Sequence, residues 1–573
     1  MSATSRRRLG ASMVGVALLL VGCSGGGEQD ETEAPPEPTE APTTPDGSEE
    51  PPSEPEEETE PPEEAAEPDP AAPEAYGVSA GHPDAVAAGM AALEAGGTAA
   101  DAAVAAATAS SVVEPFTSGL GGGGAALVLE QGEQPRAYDY RDVVPDEGIP
   151  PSNTGVPGFV AGMERLRADH GALDLAVLLE PSIALAEGAE VSELLAQRLA
   201  SDSAVLPTGE LDELYPEGAP LRAGETMVQT ELADTLRVVA EDGAAAFYEG
   251  ELAEELTATV DGLDPASLEA YEVQSTEPPT GAVGELEVIG AAPALPGTSL
   301  IQQLQLAETL GLAELDPDTP DFVHALAASW RIALAEQEGA LGDPDFVEVP
   351  VDELTDAERN RSLAEASQLG LEAVPSVDPG QPADESDPNT THITAVDADG
   401  TMVSMTNTIT NFWGSRDHAL GFFLNDHLRR FDLGRGGVNE PEPGRRPVTW
   451  SLPVVLADEQ GRPVLGLGSP GGPRIPNVLA AAIARWGLHD QPLEQVVEAP
   501  RFHVDGGSLA VEAGYAGLRD DLLGRGWAQV TEPDSRLYFG SIQALEIDYD
   551  DGELRGATDP RREADHAIES APD

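Results

Sequence analysis

Apolar positions recur every three to four residues from Pro83 onward: HPDAVAAGMAALEAGG reads as a helix opened by Pro83 and stopped by Gly96-Gly97. DAAVAAATASS reads as a second, alanine-rich helix directly behind it. The same spacing in FVAGMERLRADHGAL, AVLLEPSIALAEGAEV, TMVQTELADTLRVVAEDG and LIQQLQLAETLGLAEL predicts a mainly helical middle from about Gly155 to Gly370. Near Thr390 the period changes to two. THITAVD and TMVSMTNTIT flank Asp399-Gly400, which predicts a hairpin with a two-residue turn. PVVLAD, PVLGLGS and SIQALEIDYDDGELRGATD add further strands. Helices first and strands afterwards, without β-α-β alternation, predict an α+β fold with helices packed on antiparallel sheets.

Before Pro83 the pattern is of another kind. Residues 1–22 carry a basic patch at Arg6 to Arg8, then a short apolar run, then Leu20-Val21-Gly22 ahead of Cys23, which reads as a secretion signal too short for a comfortable bilayer span. Residues 23–75 are rich in Pro and Glu, too polar to bury a core, and read as a disordered, self-repelling tether. The chain has 573 residues, enough for one large domain or two to three average ones, and Cys23 is its only cysteine, so it forms no internal disulfide. A net charge of -76 makes nucleic acid a poor partner.

Several chemistries drop out. Gly119, Gly121 and Gly124 satisfy G-x-G-x-x-G, but an apolar strand follows where a dinucleotide site needs a helix, and a Walker loop needs a lysine, of which the chain has none. The nine histidines are scattered without H-E-x-x-H spacing, so no metal site is expected. Gly468 to Gly472 is not a nucleophile elbow, because position 467 is leucine. Thr390 remains. Its hydroxyl is a weak nucleophile until the chain is cut just before it, when the freed α-amine can serve as its base. A threonine at a strand start is equally a structural residue, and the residues alone leave both readings open.

TTHITAVDADGTMVSMTNTITNFWGSRDHALGFFLNDHLRRFD, from Thr390 to Asp432, resembles the start of the small subunit of the γ-glutamyltranspeptidase family. AGHPDAVAAGMAALEAGGTAADAAVAAATASSVVEPFTSGLGGGGAALVL, YDYRDVVPDE and NTGVPGFVAGMERL resemble its large-subunit signatures, and GLGSPGGPRIPN its glycine loop. The resemblance implies a four-layer αββα N-terminal-nucleophile hydrolase sandwich. It implies a precursor that cleaves itself between Asn389 and Thr390 into a large subunit, 76–389, and a small subunit, 390–573, which remain together as a heterodimer. Thr390 would be the nucleophile, Thr408 would hydrogen-bond its amine or hydroxyl, and Gly471 and Gly472 would offer amides to the oxyanion. Arg141 would clamp the α-carboxylate of a γ-glutamyl group. Read singly, Thr408 is a cross-strand hydroxyl, Gly471-Gly472 a turn and Arg141 a surface ion pair. Leu-Val-Gly-Cys resembles the lipobox of bacterial lipoproteins, which implies lipidation of Cys23 and anchoring on the outer face of the cytoplasmic membrane; the alternative is a soluble secreted protein.

The departures from the family concern the substrate's α-ammonium. Where the family has asparagine in T-I-N this chain has Thr410, and where it has the two aspartates of L-N-N-x-M-D-D-F this chain has Arg429 and Arg430. A serine pair of the carboxylate side becomes Thr449 and Trp450. These changes point to an acyl group without a free α-ammonium, unless Asp426 or another local carboxylate takes over the clamp after a small register shift. The expected enzyme moves a γ-glutamyl or related acyl group to an amino acid, peptide or water, with no cofactor. The alternatives are a glutaryl or cephalosporin acylase, a poly-γ-glutamate amidohydrolase, or a non-catalytic binding lipoprotein.

Overall fold

The computed structural model describes residues 73–376, 389–434 and 436–571. The signal sequence expected at 1–22, Cys23 and the tether up to residue 72 lie outside the described residues.

Two antiparallel sheets carry the architecture. The strands are β1 (Ala75–Ala80), β2 (Gly123–Leu129), β3 (Arg136–Asp139), β4 (Gln274–Thr276), β5 (Thr280–Val283), β6 (Leu286–Gly290), β7 (Thr391–Val396), β8 (Met402–Thr408), β9 (Val454–Ala457), β10 (Pro463–Gly468), β11 (Gln543–Asp548), β12 (Glu553–Thr558) and β13 (Asp565–Ser570). The first sheet runs β13-β1-β7-β8-β2-β3-β4 and the second β12-β11-β10-β9-β6-β5. The expectation of helices first and strands afterwards is corrected here: β1 to β6 precede Thr390, and the last strand returns to pair with the first, Gly77 opposite Ile568. These early strands are short or glycine-rich, so their alternation is weak. The α+β class holds.

The helices follow local chemistry. Pro83 occupies the first turn of α1 (Pro83–Glu94), and His82 Nδ1 accepts from the Asp84 amide at 3.2 Å. Thr98 and Asp101 cap α2 (Ala99–Val113) reciprocally, each side chain accepting from the other's amide at 3.3 and 3.0 Å. Every residue of α2 is buried, which its alanine-rich sequence permits because small side chains let elements approach on all sides.

Side-chain direction then sorts the core. On β2, Ala126 and Val128 join a cluster with α1, α2, α3 (Phe159–His170) and α4 (Leu175–Glu187), whereas Leu127 and Leu129 join one that contains Val455, Ile289 and Leu545 of the second sheet. The period of two thus divides one strand between two apolar layers. Val288, Val454, Leu465 and Leu467 of the second sheet pack with α5 (Gly297–Glu308), α6 (Pro320–Ala340) and α7 (Ile475–Gly487). The hairpin β7-β8 forms as the period predicts, but its loop has three residues: Asp397 donates to the Thr401 carbonyl at 3.2 Å and Gly400 takes φ +79°. Among the described residues, no helix is long and apolar enough to cross a membrane.

Candidate active site

β7 and β8 bring the two threonines of interest together. Thr391 opposes Asn407 in the ladder, so Thr390 falls beside Thr408 at the open end of the hairpin. Their hydroxyl oxygens lie 3.4 Å apart, and both residues are buried. The Thr408 hydroxyl donates to the Asn389 carbonyl oxygen at 2.7 Å and accepts from the Thr410 amide at 2.8 Å. The Asn389 amide in turn donates to the Thr410 carbonyl at 2.9 Å. The peptide ahead of Thr390 is therefore held by the same hydroxyl that neighbours the nucleophile candidate.

Main-chain crowding fixes this end of the sheet. A Cβ on Gly122 would sit 2.3 Å from the Thr408 carbonyl oxygen and one on Gly124 2.4 Å from that of Thr406. The glycine run that mimicked a dinucleotide motif serves close strand approach beside Thr408.

Two residues that the sequence reading missed complete the junction. Glu114, the residue closing α2, accepts from the Thr391 hydroxyl at 3.0 Å. Burial raises its carboxyl to about 7, against the opposing pull of the Thr391 hydrogen bond and the Arg562 charge. Arg562 donates through Nη1 to the Asn389 side-chain oxygen. Burial lowers its guanidinium to about 10, with Glu114 and Asp559 resisting. The only signals were a glutamate in the apolar run VVEP and a doubled arginine in DPRR.

The glycine loop leaves β10 next to this junction. His392, two residues beyond Thr390, packs so closely on Gly468 that a Cβ there would lie 2.2 Å from its ring. Burial holds that imidazole down to about 3, so it is neutral, and its Nδ1 is 2.8 Å from the Thr406 hydroxyl. Gly471 and Gly472 follow at φ +139° and +58°, leading into α7. Only glycine adopts that pair without strain. Arg474 Nη1 donates to the Gly471 carbonyl at 3.2 Å.

The remaining predicted residues divide. Arg141 is fully buried and committed: Nε and Nη2 grip Asp139 at 2.9 and 2.6 Å, and Nη1 donates to the Pro447 carbonyl at 2.5 Å. It is not a surface ion pair. Burial works to raise the Asp139 carboxyl, but Arg141 and Arg446 outweigh it and hold it below its ordinary value. Thr410 is buried at φ +84°, a costly conformation for a β-branched residue, and its hydroxyl has no partner among the described residues. Asp426 does not stand ready as an ammonium clamp, since Asn411 and Arg429 both donate to its carboxylate. Arg430 and Trp450 line a cavity of about 500 Å³ together with Trp330, Val448, Pro473 and His503, and Thr449, buried between Val448 and Trp450 in the chain, is not among its lining residues. Thr390, Thr408 and Arg141 are not among its lining residues. Behind Arg430, His427 meets Asp142 at 2.9 Å; burial, reinforced by the Arg141 and Arg430 charges, keeps that histidine neutral. Among the described residues no group of three His, Cys, Asp or Glu is placed to hold a metal ion.

The gamma-glutamyltranspeptidase family model matches residues 85–568. The chain belongs to this family. It is 34% identical over 489 residues to the capsule biosynthesis protein CapD proenzyme of Bacillus anthracis, covering 85% of this chain and 89% of that one. It is 30% identical over 535 residues to the glutathione hydrolase proenzyme of Bacillus subtilis, covering 85% and 90%. Among solved structures, cephalosporin acylase from Bacillus halodurans aligns with a TM-score of 0.77 at 25% identity, over 87% of this chain and 96% of that one. As a γ-glutamyltranspeptidase-family member the chain is an enzyme, a hydrolase or acyltransferase.

Proposed function

We propose that this chain is a precursor that cuts itself between Asn389 and Thr390 and then transfers an acyl group through an ester on Thr390. The observation that carries the reading is the Thr408 hydroxyl, which donates to the Asn389 carbonyl at 2.7 Å while lying 3.4 Å from the Thr390 hydroxyl. Donation to that carbonyl draws electrons from its carbon, the atom Thr390 Oγ1 would attack. The hydroxyl adds to the carbonyl, the C-N bond breaks with the proton passing to nitrogen, and water hydrolyses the resulting ester. The products are a carboxylate at Asn389 and a Thr390 that carries both its hydroxyl and a free α-amine as base. The large fragment would end at Asn389, with 76–389 as its large-subunit part behind the tether, and the small one would be 390–573, the two held as a heterodimer by a four-layer αββα sandwich. The shared apolar cluster between the two sheets, with helices on their other faces, supports that layering.

In turnover, the Gly471 and Gly472 amides would stabilise the oxyanion, a contribution worth on the order of a hundredfold in rate. The donor's amine leaves, the acyl group stays on Thr390, and an amino acid, peptide or water removes it. Arg141 would meet a substrate carboxylate through the two N-H bonds not given to Asp139 and Pro447. Thr410, Arg430, Thr449 and Trp450 would shape the acyl side.

The acyl group favoured here lacks a free α-ammonium: a glutaryl-like group, or an internal residue of a poly-γ-glutamyl chain. Arg429 and Arg430 stand where the family carries aspartates, and the Asp426 carboxylate is already engaged. The relatives' names divide on this point: a cephalosporin acylase and a capsule biosynthesis protein agree with it, whereas a glutathione hydrolase takes a γ-glutamyl group that carries its α-ammonium. Comparing hydrolysis of glutaryl and γ-glutamyl anilides tests this, and strong preference for the γ-glutamyl compound sinks it. The signal at 1–22, lipidated Cys23 and the 23–75 tether would place the enzyme outside the cytoplasmic membrane on a lipid anchor. Retention of the Cys23→Ala variant in the membrane fraction would contradict the anchor.

A further inference from the structure

We infer that Arg562 is a positioning residue for self-cleavage, holding the Asn389 side chain so that the Asn389 carbonyl faces the Thr390 hydroxyl. The inference rests on the self-cleavage reading and adds to it a residue outside the threonine pair and the glycine loop. It begins from how the junction is gripped. Asn389 is held at three points: its amide by the Thr410 carbonyl, its main-chain oxygen by the Thr408 hydroxyl, and its side-chain oxygen by Arg562 Nη1. Immediately downstream, Thr391 is held by Glu114. Every residue across the bond is thereby fixed from outside, and the two long-range grips come from a residue ahead of the glycine run and one near the C-terminus.

Each grip removes a different freedom. The bond to the main-chain oxygen sets rotation about the Asn389 Cα-C bond, and with it the direction the carbonyl faces. That direction is defined only relative to the Cα, whose own orientation the amide bond alone leaves free to turn. The bond from Arg562 to the side chain gives the Cα its second anchor, so that the Thr408 bond holds the carbonyl carbon toward the attacking oxygen. Near-attack geometry needs such restriction, because small misplacements of reacting atoms cost large factors in rate.

The charge around Arg562 supports the assignment. Its guanidinium lies within electrostatic reach of Arg198 and Arg474 as well as Glu114 and Asp559, and its Nε has no partner among the described residues. A cation pressed by two others and only partly neutralised is a strong donor to a neutral carbonyl. Asn389 supplies that acceptor. An aliphatic residue at 389 would leave the guanidinium without it.

The test follows the fraction of split chain over time by intact mass in the full-length protein. The set is wild type, Arg562→Met, Arg562→Lys, Asn389→Ala and the Asn389→Ala, Arg562→Met double variant, each also made on the Thr390→Ala background to compare melting temperatures. Arg562→Met and Asn389→Ala are each expected to slow cleavage by about tenfold. The double variant should be no slower than Asn389→Ala alone, and Arg562→Lys should recover part of the rate. Non-additivity separates positioning through Asn389 from a general loss of stability, which would multiply. Arg562→Met splitting at the wild-type rate, or singles that multiply in the double, overturns the inference while self-cleavage stands. If Arg562→Met fails to fold, Asn389→Ala with the arginine intact carries the test, and wild-type speed in that variant overturns it. A wild type that never splits overturns both readings.

Discussion

Replacing Glu114 by glutamine should change how the stability of this protein depends on pH. Glu114 is 5% exposed, and burial raises its carboxyl from 4.5 to about 7. An acid whose folded pKa lies above its unfolded one binds an extra proton in the folded state between the two values. Its contribution is thus complete below about pH 4.5 and is lost as pH rises through about 7. Each pKa unit is worth about 1.4 kcal/mol, so the interval amounts to about 3 kcal/mol. The assay is urea unfolding of the uncut Thr390→Ala precursor, with and without Glu114→Gln, at steps from pH 4.5 to 8. The stability difference between the two should shift against the glutamate form by about 3 kcal/mol across that range, mostly below pH 7. A flat difference would refute the reasoning, and so would a rise with pH, which would mean that Arg562 and Thr391 hold the carboxylate as an ion against burial.

Other consequences are equally open to measurement. Thr408→Val, which removes the donor on the Asn389 carbonyl, should slow self-cleavage by about tenfold or more while Thr408→Ser retains most of it, read by intact mass. Gly122→Ala would place a methyl 2.3 Å from the Thr408 carbonyl and should destabilise the uncut precursor by about 1–3 kcal/mol, read as a lower melting temperature. Arg430→Asp should raise hydrolysis of a γ-glutamyl anilide relative to a glutaryl one by about tenfold or more, since a like charge facing an ammonium is exchanged for an opposite one; an unchanged ratio in paired assays would contradict it.

The legible parts of this molecule were those set by near neighbours in sequence. Pro83, Thr98 and the apolar spacing behind them act within a turn or two, and α1 and α2 stand where the pattern puts them. The pairing of Thr390 with Thr408 follows from a hairpin whose register is local. The hairpin loop was one residue longer than expected because Gly400 makes a left-handed bulge after a turn that Asp397 begins. Long-range partners left little trace. Glu114 looked like part of an apolar run and Arg562 like part of a polar loop, and only the assembled sheets bring them to Thr391 and Asn389. Arg141 is intermediate: Asp139, the last residue of β3, sits only two residues before it, so their pairing in Y-D-Y-R is a local one. The positive φ at Thr410 had no signal, because T-I-T reads as ordinary strand.

The most direct measurement is the intact mass of the purified full-length protein beside its Thr390→Ala variant. The account predicts a light fragment that begins at Thr390 in the wild type and one undivided chain in the variant. A wild type that stays whole after prolonged incubation, or a light fragment that begins at any residue other than Thr390, contradicts it.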